Sequence, residues 1–223
     1  MGRYRNSKDR SFKMNNLTEK FLELLDKAAD EIIENEEFLT DLDRKIGDSD
    51  HGINMKRGFG EIKKMLPEYK ELEVSEILTK CAMTLMTKVG GASGPLYGTA
   101  FMKAGIALKG KDKNEILNNS VLCNALNEAV TGIKERGKAE KGDKTMIDVL
   151  MPALEEFSAA QETESKKEIL KRMVEKAREA LEYTKTIPAK KGRASYLGER
   201  SIGTEDPGAY SSYLILKSVS ENL

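Results

Sequence analysis

Apolar residues recur every three or four positions along most of the chain, as they do on the buried face of an α-helix. Between residues 17 and 38 this period is kept by seven side chains, Leu17, Phe21, Leu24, Leu25, Ala28, Ile32 and Phe38. The same pattern covers residues 54–66, 77–86, 95–109, 121–133, 145–160, 165–186 and 207–221. No segment shows the sustained alternation that is typical of a β-strand. The pattern therefore predicts an all-α protein with eight helices.

The chain is expected to form one domain, because its 223 residues contain no long internal repeat and no low-complexity linker. We place this domain at residues 17–223. Residues 1–16 are expected to form a flexible basic tail, or a non-native start ahead of Met14. This part lacks the apolar stretch of a signal peptide.

The connections between the predicted helices are of two kinds. Those after the second, fourth and sixth helices are plain and charged, whereas the others are rich in Gly and reactive polar residues. The second kind comprises segment one (residues 41–52), segment two (88–95), segment three (136–144) and segment four (188–208). If successive helices are antiparallel, these four segments meet at one end of an up-and-down bundle. The sequence therefore predicts one composite site at that end.

Composition excludes some partners. The 37 basic and 37 acidic residues give a net charge of zero, so nothing indicates binding to nucleic acid or to an anionic membrane. No apolar run approaches the roughly 18 residues that a membrane span needs. We therefore expect a cytoplasmic protein.

Segment one carries four aspartates, of which Asp43, Asp48 and Asp50 are the candidate metal ligands. A single Asp-x-Asp would be better explained as a solvated acidic turn. Three carboxylates that converge repel one another unless a cation joins them, and oxygen ligands favour a hard ion such as Mg²⁺. An EF-hand does not fit, because its Gly and Glu positions are occupied by Ile53 and Phe59.

Segment two contains the run Gly90 to Gly94 directly before a predicted helix. Glycines let backbone N–H groups approach an anion, and a helix N-terminus carries partial positive charge. Ser93 can donate its hydroxyl to the same anion. Alone the signal is weak, since an ordinary loop can have this sequence. It gains weight from its predicted position beside the aspartates.

Segment three resembles a phosphate-binding P-loop but departs from it, because Asp143 separates Gly142 from Lys144 and the segment follows a helix. We reject the P-loop interpretation. Lys144 and Thr145 nevertheless begin a helix at the predicted site, and Met146 offers apolar surface to a flat ring.

Segment four is the longest connection, and long loops in compact domains are usually functional. Arg193 can bind phosphate oxygens with its planar guanidinium. The alternative is a lid with exposed charges, in which the turn at Asp206 simply caps a helix. Together the four segments indicate a Mg–nucleotide site. Three carboxylates and a nucleoside diphosphate total about −6, so we favour two Mg²⁺ ions, which leave about −2.

Five blocks of the sequence resemble the DhaL family, the nucleotide-binding subunits of bacterial dihydroxyacetone kinases. The blocks are DRKIGDSDHGINMKRGF, VGGASGPLYGTAF, RGKAEKGDKTMIDVL, KGRASYLGERSIG and DPGAYSS. The resemblance implies an up-and-down barrel of eight helices that holds ADP and two Mg²⁺ at one end.

The resemblance also implies residue roles. It makes Asp43, Asp48 and Asp50 the magnesium ligands. The implied nucleotide contacts are His51, Gly52, Ile53, Asn54, Ala92, Ser93, Gly137, Met146, Arg193, Asp206, Pro207 and Gly208. The family commonly has Gly at the position of Ser49 and Pro at that of Lys141, which leaves the local backbone conformation open.

The resemblance implies that the subunit keeps its nucleotide. A phosphohistidine carrier protein of the phosphotransferase system phosphorylates the bound ADP, and the resulting ATP passes its phosphoryl group to dihydroxyacetone on a separate subunit. Metal-assisted transfer needs no side-chain nucleophile here, so His51 is better explained as a phosphate contact than as a phosphohistidine. Two alternatives stay open. One is a kinase subunit that exchanges free ATP, for dihydroxyacetone or another small ketose, and the other is a non-enzymatic nucleotide-binding co-regulator of transcription. A homodimer also stays open.

Overall fold

The computed structural model describes residues 7–223, with side chains from residue 17 onward. Over these residues the chain forms ten α-helices and no β-strand, which confirms the all-α prediction. The helices are α1 (Ser7–Glu34), α2 (Glu36–Ile46), α3 (His51–Met65), α4 (Val74–Lys88), α5 (Ser93–Leu108), α6 (Lys113–Ile116), α7 (Asn119–Gly137), α8 (Met146–Ala159), α9 (Lys166–Thr184) and α10 (Pro207–Asn222). Two 3₁₀ segments, Leu66–Tyr69 and Arg193–Ser201, complete the regular structure.

The predicted count of eight helices is wrong for the described residues, because the first predicted helix is two helices. The break falls at Asn35, whose side-chain amide donates to the Glu31 carbonyl oxygen at 2.8 Å. Such a local bond competes with continuation of the helix. The helix α2 that follows carries Asp43, and α6 is a single additional turn. The other seven predicted helices each correspond to one observed helix.

The structure describes the backbone of part of the segment that was expected to form a tail, and the tail itself stays a prediction. Helix α1 begins at Ser7, so the backbone of residues 7–16 continues a helix that runs into the domain. Residues 1–6 lie outside the described part of the chain, as does that part of the tail prediction.

Several helix starts are fixed by side chains. Capping boxes, in which the N-cap and N3 side chains bond each other's backbone N–H, begin α4, α6, α8 and α9. The box of α8 joins Thr145 to Asp148 directly after segment three. The local sequence therefore determines where this helix begins, and with it the position of segment three.

The longer helices pack in chain order around a shared core. Helix α3 contacts α4, α4 contacts α5, α5 contacts α7, and the series continues through α8 and α9 to α10, which packs on α1. Helix α1 also packs on α3, so the series of contacts closes. The antiparallel up-and-down barrel stays a prediction. Within the described residues no helix is both long and apolar enough to cross a lipid bilayer.

Helix α2 packs closely on the first turn of α3 at Gly52. A Cβ at Gly52 would overlap the Glu36 carbonyl oxygen and the Thr40 side chain. This close approach holds the first half of α2, the helix that carries Asp43, against the start of α3. Glycine is therefore a packing requirement at this position.

We predict that Gly52→Ala destabilises the protein by about 2 kcal/mol, because the added methyl group must separate α2 from α3. Gly60→Ala is the matched control on the same helix, since nothing lies within 4 Å of a Cβ at that position. It should stabilise the protein by about 0.5–1 kcal/mol, the usual advantage of Ala over Gly inside a helix. Urea denaturation measures both changes, and equal effects would contradict the packing role.

Candidate functional site

One cavity of about 770 Å³ is lined by residues from all four Gly-rich and polar segments. The structure thus brings together segments that are far apart in sequence, as the sequence predicted. Thirteen of the fifteen predicted site residues line it: Asp43, Asp48, Asp50, His51, Asn54, Ala92, Ser93, Gly137, Met146, Arg193, Asp206, Pro207 and Gly208.

Gly52 and Ile53 are the two predicted site residues that do not line the cavity. Gly52 is buried against α2, and the side chain of Ile53 is 50% exposed. Both belong to the first turn of α3, where consecutive residues point in different directions. A block of sequence does not show which of its residues face the site and which pack against another helix or face solvent.

The buried carboxylate of Asp43 organises segment one. Its Oδ2 accepts hydrogen bonds from the backbone N–H groups of Asp50, at 2.8 Å, and His51, at 3.1 Å. It therefore caps α3 in place of the N-cap residue Asp50, whose own side chain makes no capping bond. A negative charge is favourable at this helix end. The backbone passes close to the same carboxylate at Gly47, where a Cβ would overlap Oδ1.

The three aspartates form the one group of His, Cys, Asp or Glu side chains within the described residues that could hold a metal ion. Carboxylate oxygens from Asp43, Asp48 and Asp50 all lie within 4.8 Å of one another. Oxygen ligands from three carboxylates suit Mg²⁺, which takes few protein ligands and keeps several waters. The donor set therefore fits the predicted metal. Between Asp48 and Asp50, Ser49 has φ 67°, in the left-handed region that favours glycine.

A cation from segment four reaches the aspartates. The Arg193 Nε lies 2.6 Å from Asp48 Oδ2, which joins segment four to segment one across the cavity. Both side chains are partly exposed, so this ion pair adds little to stability. It shows instead that the guanidinium lies where negative charge concentrates.

Segment two packs on α3 through Asn54. A Cβ at Gly90 would approach the Asn54 side-chain amide to within 3.0 Å, and a Cβ at Gly94 would overlap the Val89 carbonyl oxygen. Asn54 is held in turn by Arg57, whose Nη2 donates to its Oδ1 at 2.6 Å. These close approaches bring the N-terminus of α5, with Ser93, beside segment one.

His51 is buried between two serines. Its Nδ1 lies 3.1 Å from Ser93 Oγ and its Nε2 lies 3.0 Å from Ser211 Oγ. Burial lowers the pKa of His51 to about 4, although the nearby Asp50 charge opposes this shift. The imidazole is therefore neutral at physiological pH. Because both ring nitrogens are bonded within the protein, the phosphohistidine role that the sequence disfavoured also lacks a free nitrogen.

Segment three is fixed by Lys144, a lysine that is only 1% exposed. Its backbone has φ 60°, and its Nζ donates to the carbonyl oxygens of Ser201, at 2.5 Å, and Ile187, at 3.2 Å. Burial lowers the pKa of Lys144, and the charges of Asp206 and Glu205 oppose that shift. One ammonium group thus joins segment three to Ile187, directly before segment four, and to Ser201 within it.

Segment four is also bonded to itself. Ser201 Oγ accepts from the Ala189 N–H at 2.8 Å and donates to the Gly198 carbonyl oxygen at 2.6 Å. The Gly203 N–H donates to the Lys185 carbonyl oxygen at 2.8 Å, which closes the base of the loop. The segment is therefore a braced loop that presents Arg193 to the cavity.

Asp206 lies at the start of α10, where its Oδ2 accepts from the Ala209 N–H at 2.7 Å. Burial raises the pKa of Asp206 to about 7, while the Ala209 bond opposes the shift. The charges of Asp148 and Asp43 raise it further, and Lys144 lowers it. The cavity thus contains a carboxyl group that gains or loses its proton near neutral pH.

Sequence reasoning left several lining residues out of its site list. Arg136, Lys144 and Lys191 bring three further basic side chains to the wall, and Leu96 and Ile133 lie with Met146 as apolar surface. The sequence places Lys144 at the start of a helix, but it does not show the bonding partners of Lys144, which are more than forty residues away. Arg136 directly precedes Gly137 and Lys191 lies two residues before Arg193, so proximity in sequence to a predicted site residue is the signal that could have found them.

Comparison with known proteins identifies relatives that match nearly the whole chain. The model of the DAK2 domain matches residues 45–221. The "PTS-dependent dihydroxyacetone kinase, ADP-binding subunit DhaL" of Lactococcus lactis is 44% identical over 200 residues, which is 90% of this chain and 95% of that protein. The "PEP-dependent dihydroxyacetone kinase, ADP-binding subunit DhaL" of Escherichia coli is 43% identical over 185 residues, 82% of this chain and 87% of that protein.

A solved structure has a similar fold. The dihydroxyacetone kinase from C. freundii in complex with AMP-PNP and Mg²⁺ superposes with a TM-score of 0.71 at 26% identity. The match covers 91% of this chain and 33% of that longer chain.

We predict that Lys144→Met destabilises the protein by about 1–3 kcal/mol, because two carbonyl oxygens lose a charged donor. Amide hydrogen exchange should accelerate mainly in residues 185–206. Lys138→Met is the matched control, since Lys138 belongs to the same segment and also has positive φ, but its side chain is exposed. The control should stay within about 0.5 kcal/mol of the parent. Similar exchange in both variants would show that Lys144 does not brace segment four.

Proposed function

The chain belongs to the DAK2-domain family, and from this membership we propose that it is the nucleotide-binding subunit of a dihydroxyacetone kinase. Bound ADP is phosphorylated by a phosphohistidine carrier protein, and the resulting ATP passes its phosphoryl group to dihydroxyacetone on a separate subunit. The observation that carries the proposal is the convergence of four segments on one cavity that contains a cluster of three carboxylates.

The cavity suits the parts of a Mg–nucleotide. Asp43, Asp48 and Asp50 are proposed to hold metal at the polyphosphate end, with Ser93 and the N-terminus of α5 binding phosphate oxygens. The apolar surface of Met146 suits the flat base, because a thioether packs well on an aromatic ring. Gly137 lies at the end of α7, where a Cβ would meet Leu96 at 3.2 Å, so the wall there has little spare room.

Charge supports two metal ions. Three carboxylates and a nucleoside diphosphate carry about −6, and two Mg²⁺ reduce this to about −2. The basic lining residues Arg136, Lys191 and Arg193 can offset the remainder. Bound Mg²⁺ supplies neutralisation of phosphate charge and alignment for in-line phosphoryl transfer. The side chains of this chain would bind and orient, and none of them need form a covalent intermediate.

The sugar site is proposed to lie on a partner subunit. Within the described residues the helices enclose four apolar clusters and one cavity of about 770 Å³, and the lining of this cavity suits a nucleotide. The names of the L. lactis and E. coli relatives also describe subunits that bind ADP. Dihydroxyacetone would therefore reach the nucleotide from outside, at the mouth of the cavity.

We predict that Asp50→Asn abolishes phosphoryl transfer and weakens Mn²⁺ binding by about tenfold or more, since losing even a residue that supports a ligand costs about 10–100-fold. The helices should remain, because the Asp50 side chain makes no capping bond. Titration with Mn²⁺, followed by electron paramagnetic resonance, measures the affinity, and circular dichroism measures helix content.

Asp41→Asn is the matched control for this experiment. Asp41 lies on α2 close to the cluster in sequence, but its carboxylate pairs with Arg44 on the surface. This variant should bind Mn²⁺ as the parent does. Normal turnover of Asp50→Asn at low magnesium would show that the metal assignment is wrong.

We also predict the phosphoryl donor. With the sugar-binding subunit present, free ATP should support at most one turnover per chain, because a retained nucleotide does not exchange at a useful rate. A phosphohistidine carrier should support many turnovers. The measurement is dihydroxyacetone phosphate formed per chain. Sustained, saturable product formation with ATP alone would favour the exchanging kinase instead.

A further inference from the structure

A line of hydroxyl groups runs from the buried side of the cavity wall to His51. Tyr97 Oη lies 2.8 Å from both Ser211 Oγ and Ser212 Oγ. Ser211 Oγ continues the line to His51 Nε2 at 3.0 Å, and His51 Nδ1 continues it to Ser93 Oγ at 3.1 Å. Only His51 and Ser93 line the cavity, so the line connects the interior to the site.

Each contact in this line can carry its proton in either of two directions. In the inward order, Ser93 donates to His51 Nδ1 and the Nε2–H donates to Ser211. The hydroxyls of Ser211, Tyr97 and Ser212 can then donate onward in turn, and the last donates to the Gly208 carbonyl oxygen at 2.9 Å. The same carbonyl oxygen also lies 3.1 Å from Ser211 Oγ and 3.3 Å from Tyr97 Oη, so each of the three hydroxyls can end the line there.

In the outward order every hydrogen bond of the line has its donor and acceptor exchanged. Ser212 donates to Tyr97, Tyr97 donates to Ser211, and Ser211 donates to the unprotonated Nε2. His51 then carries its proton on Nδ1 and donates it to Ser93 Oγ. The Ser93 hydroxyl then no longer donates to His51, so its proton can point into the cavity. The two orders therefore differ in the imidazole tautomer and in what Ser93 offers to a ligand.

We propose that an anionic phosphate group in the cavity selects the outward order, so that Tyr97, Ser211 and His51 act as positioning residues that make Ser93 a hydrogen-bond donor. In the inward order Ser93 presents only lone pairs, which repel an anion. In the outward order it donates to the anion, and such a charge-assisted bond is roughly twice as strong as a neutral one. Without an anion, the inward order has the advantage of ending on the Gly208 carbonyl oxygen.

The burial of the line supports this role. Ser211 and Ser212 are essentially inaccessible and Tyr97 is 4% exposed, so bulk water does not supply substitute partners. The pKa of Tyr97 is raised to about 12 by burial, which keeps its hydroxyl proton in place. Besides one another, these three hydroxyls have the Gly208 carbonyl oxygen as an acceptor, so every partner available to them is a protein group.

The inference rests on the proposed nucleotide function, and one residue makes it directly testable. His51 is the only histidine in the chain, so ¹⁵N-labelled histidine gives signals from this ring alone. Two-bond ¹H–¹⁵N correlation spectra distinguish the Nδ1–H tautomer from the Nε2–H tautomer. Protein freed of nucleotide and metal with EDTA should show Nε2–H, and protein saturated with Mg–ADP should show Nδ1–H. An unchanged tautomer on saturation would overturn the inference.

Ser93→Ala is the control for the spectra. Without the Ser93 hydroxyl, an Nδ1–H would have no acceptor, so this variant saturated with Mg–ADP should keep the Nε2–H tautomer. A change to Nδ1–H in the variant would show that the nucleotide acts on His51 by another route, and it would also overturn the inference.

A double-mutant cycle tests the effect on binding. Tyr97→Phe removes one hydroxyl but keeps the ring that packs edge-on against Phe59. It should weaken Mg–ADP binding, measured by calorimetry, by about threefold to tenfold, the usual worth of one hydrogen bond. In the Ser93→Ala background it should have no further effect. Equal losses in both backgrounds would contradict the coupling. Should Tyr97→Phe not fold, Ser211→Ala interrupts the same line, because it removes the hydroxyl that contacts His51 Nε2, and it is judged by the same two outcomes.

The calorimetry also distinguishes a failure of the proposed function from a failure of the inference alone. If the unaltered protein does not bind Mg–ADP, the proposed function is wrong and the inference falls with it. If it binds Mg–ADP without a tautomer change, the proposed function stands and the inference alone is wrong.

Discussion

The hydrogen bonds from the backbone of Asp50 and His51 to the Asp43 carboxylate are the interaction on which the site depends. They join the end of α2 to the start of α3 and bury one charge where a helix end favours it. They also relieve Asp50 of the capping role, so that its carboxylate can face Asp48 and Asp43. One side chain thus fixes the turn, starts a helix and completes a cluster of like charges.

Bringing these charges together has a cost in stability that the surrounding structure offsets. Two residues at the site, Ser49 and Lys144, hold the left-handed backbone that glycine adopts more easily. Asp206 is buried with its pKa raised to about 7. Sparse conformations and perturbed carboxyl groups persist where neighbouring contacts over-determine them, and they cluster at functional sites. Here the contacts come from side chains such as Lys144, which donates to the carbonyl oxygens of Ile187, directly before segment four, and Ser201 within it.

The sequence was sufficient to predict most helices and the convergence of the four segments. The helices follow from the spacing of apolar residues, and the convergence follows from the alternation of connection types. The sequence was insufficient at Asn35, where one side chain competes with an otherwise continuous helical pattern. It also could not show that Gly52 packs on α2 while its neighbour His51 faces the cavity. The partners of Lys144 and His51 are distant in sequence, and only the packed helices bring them together.

The bonding partners of these residues limit the chemistry that this chain can perform. The sole histidine is neutral, and both of its ring nitrogens are bonded to serines. The aspartates are committed to one cluster, and the Lys144 ammonium is bonded to carbonyl oxygens. What remains to the site is placement of charge and of hydrogen-bond donors around a polyphosphate. Phosphoryl transfer through a loose transition state needs little more from a protein than this placement. In the function proposed above, a chain built in this way binds and orients the nucleotide, while other proteins supply and accept the phosphoryl group.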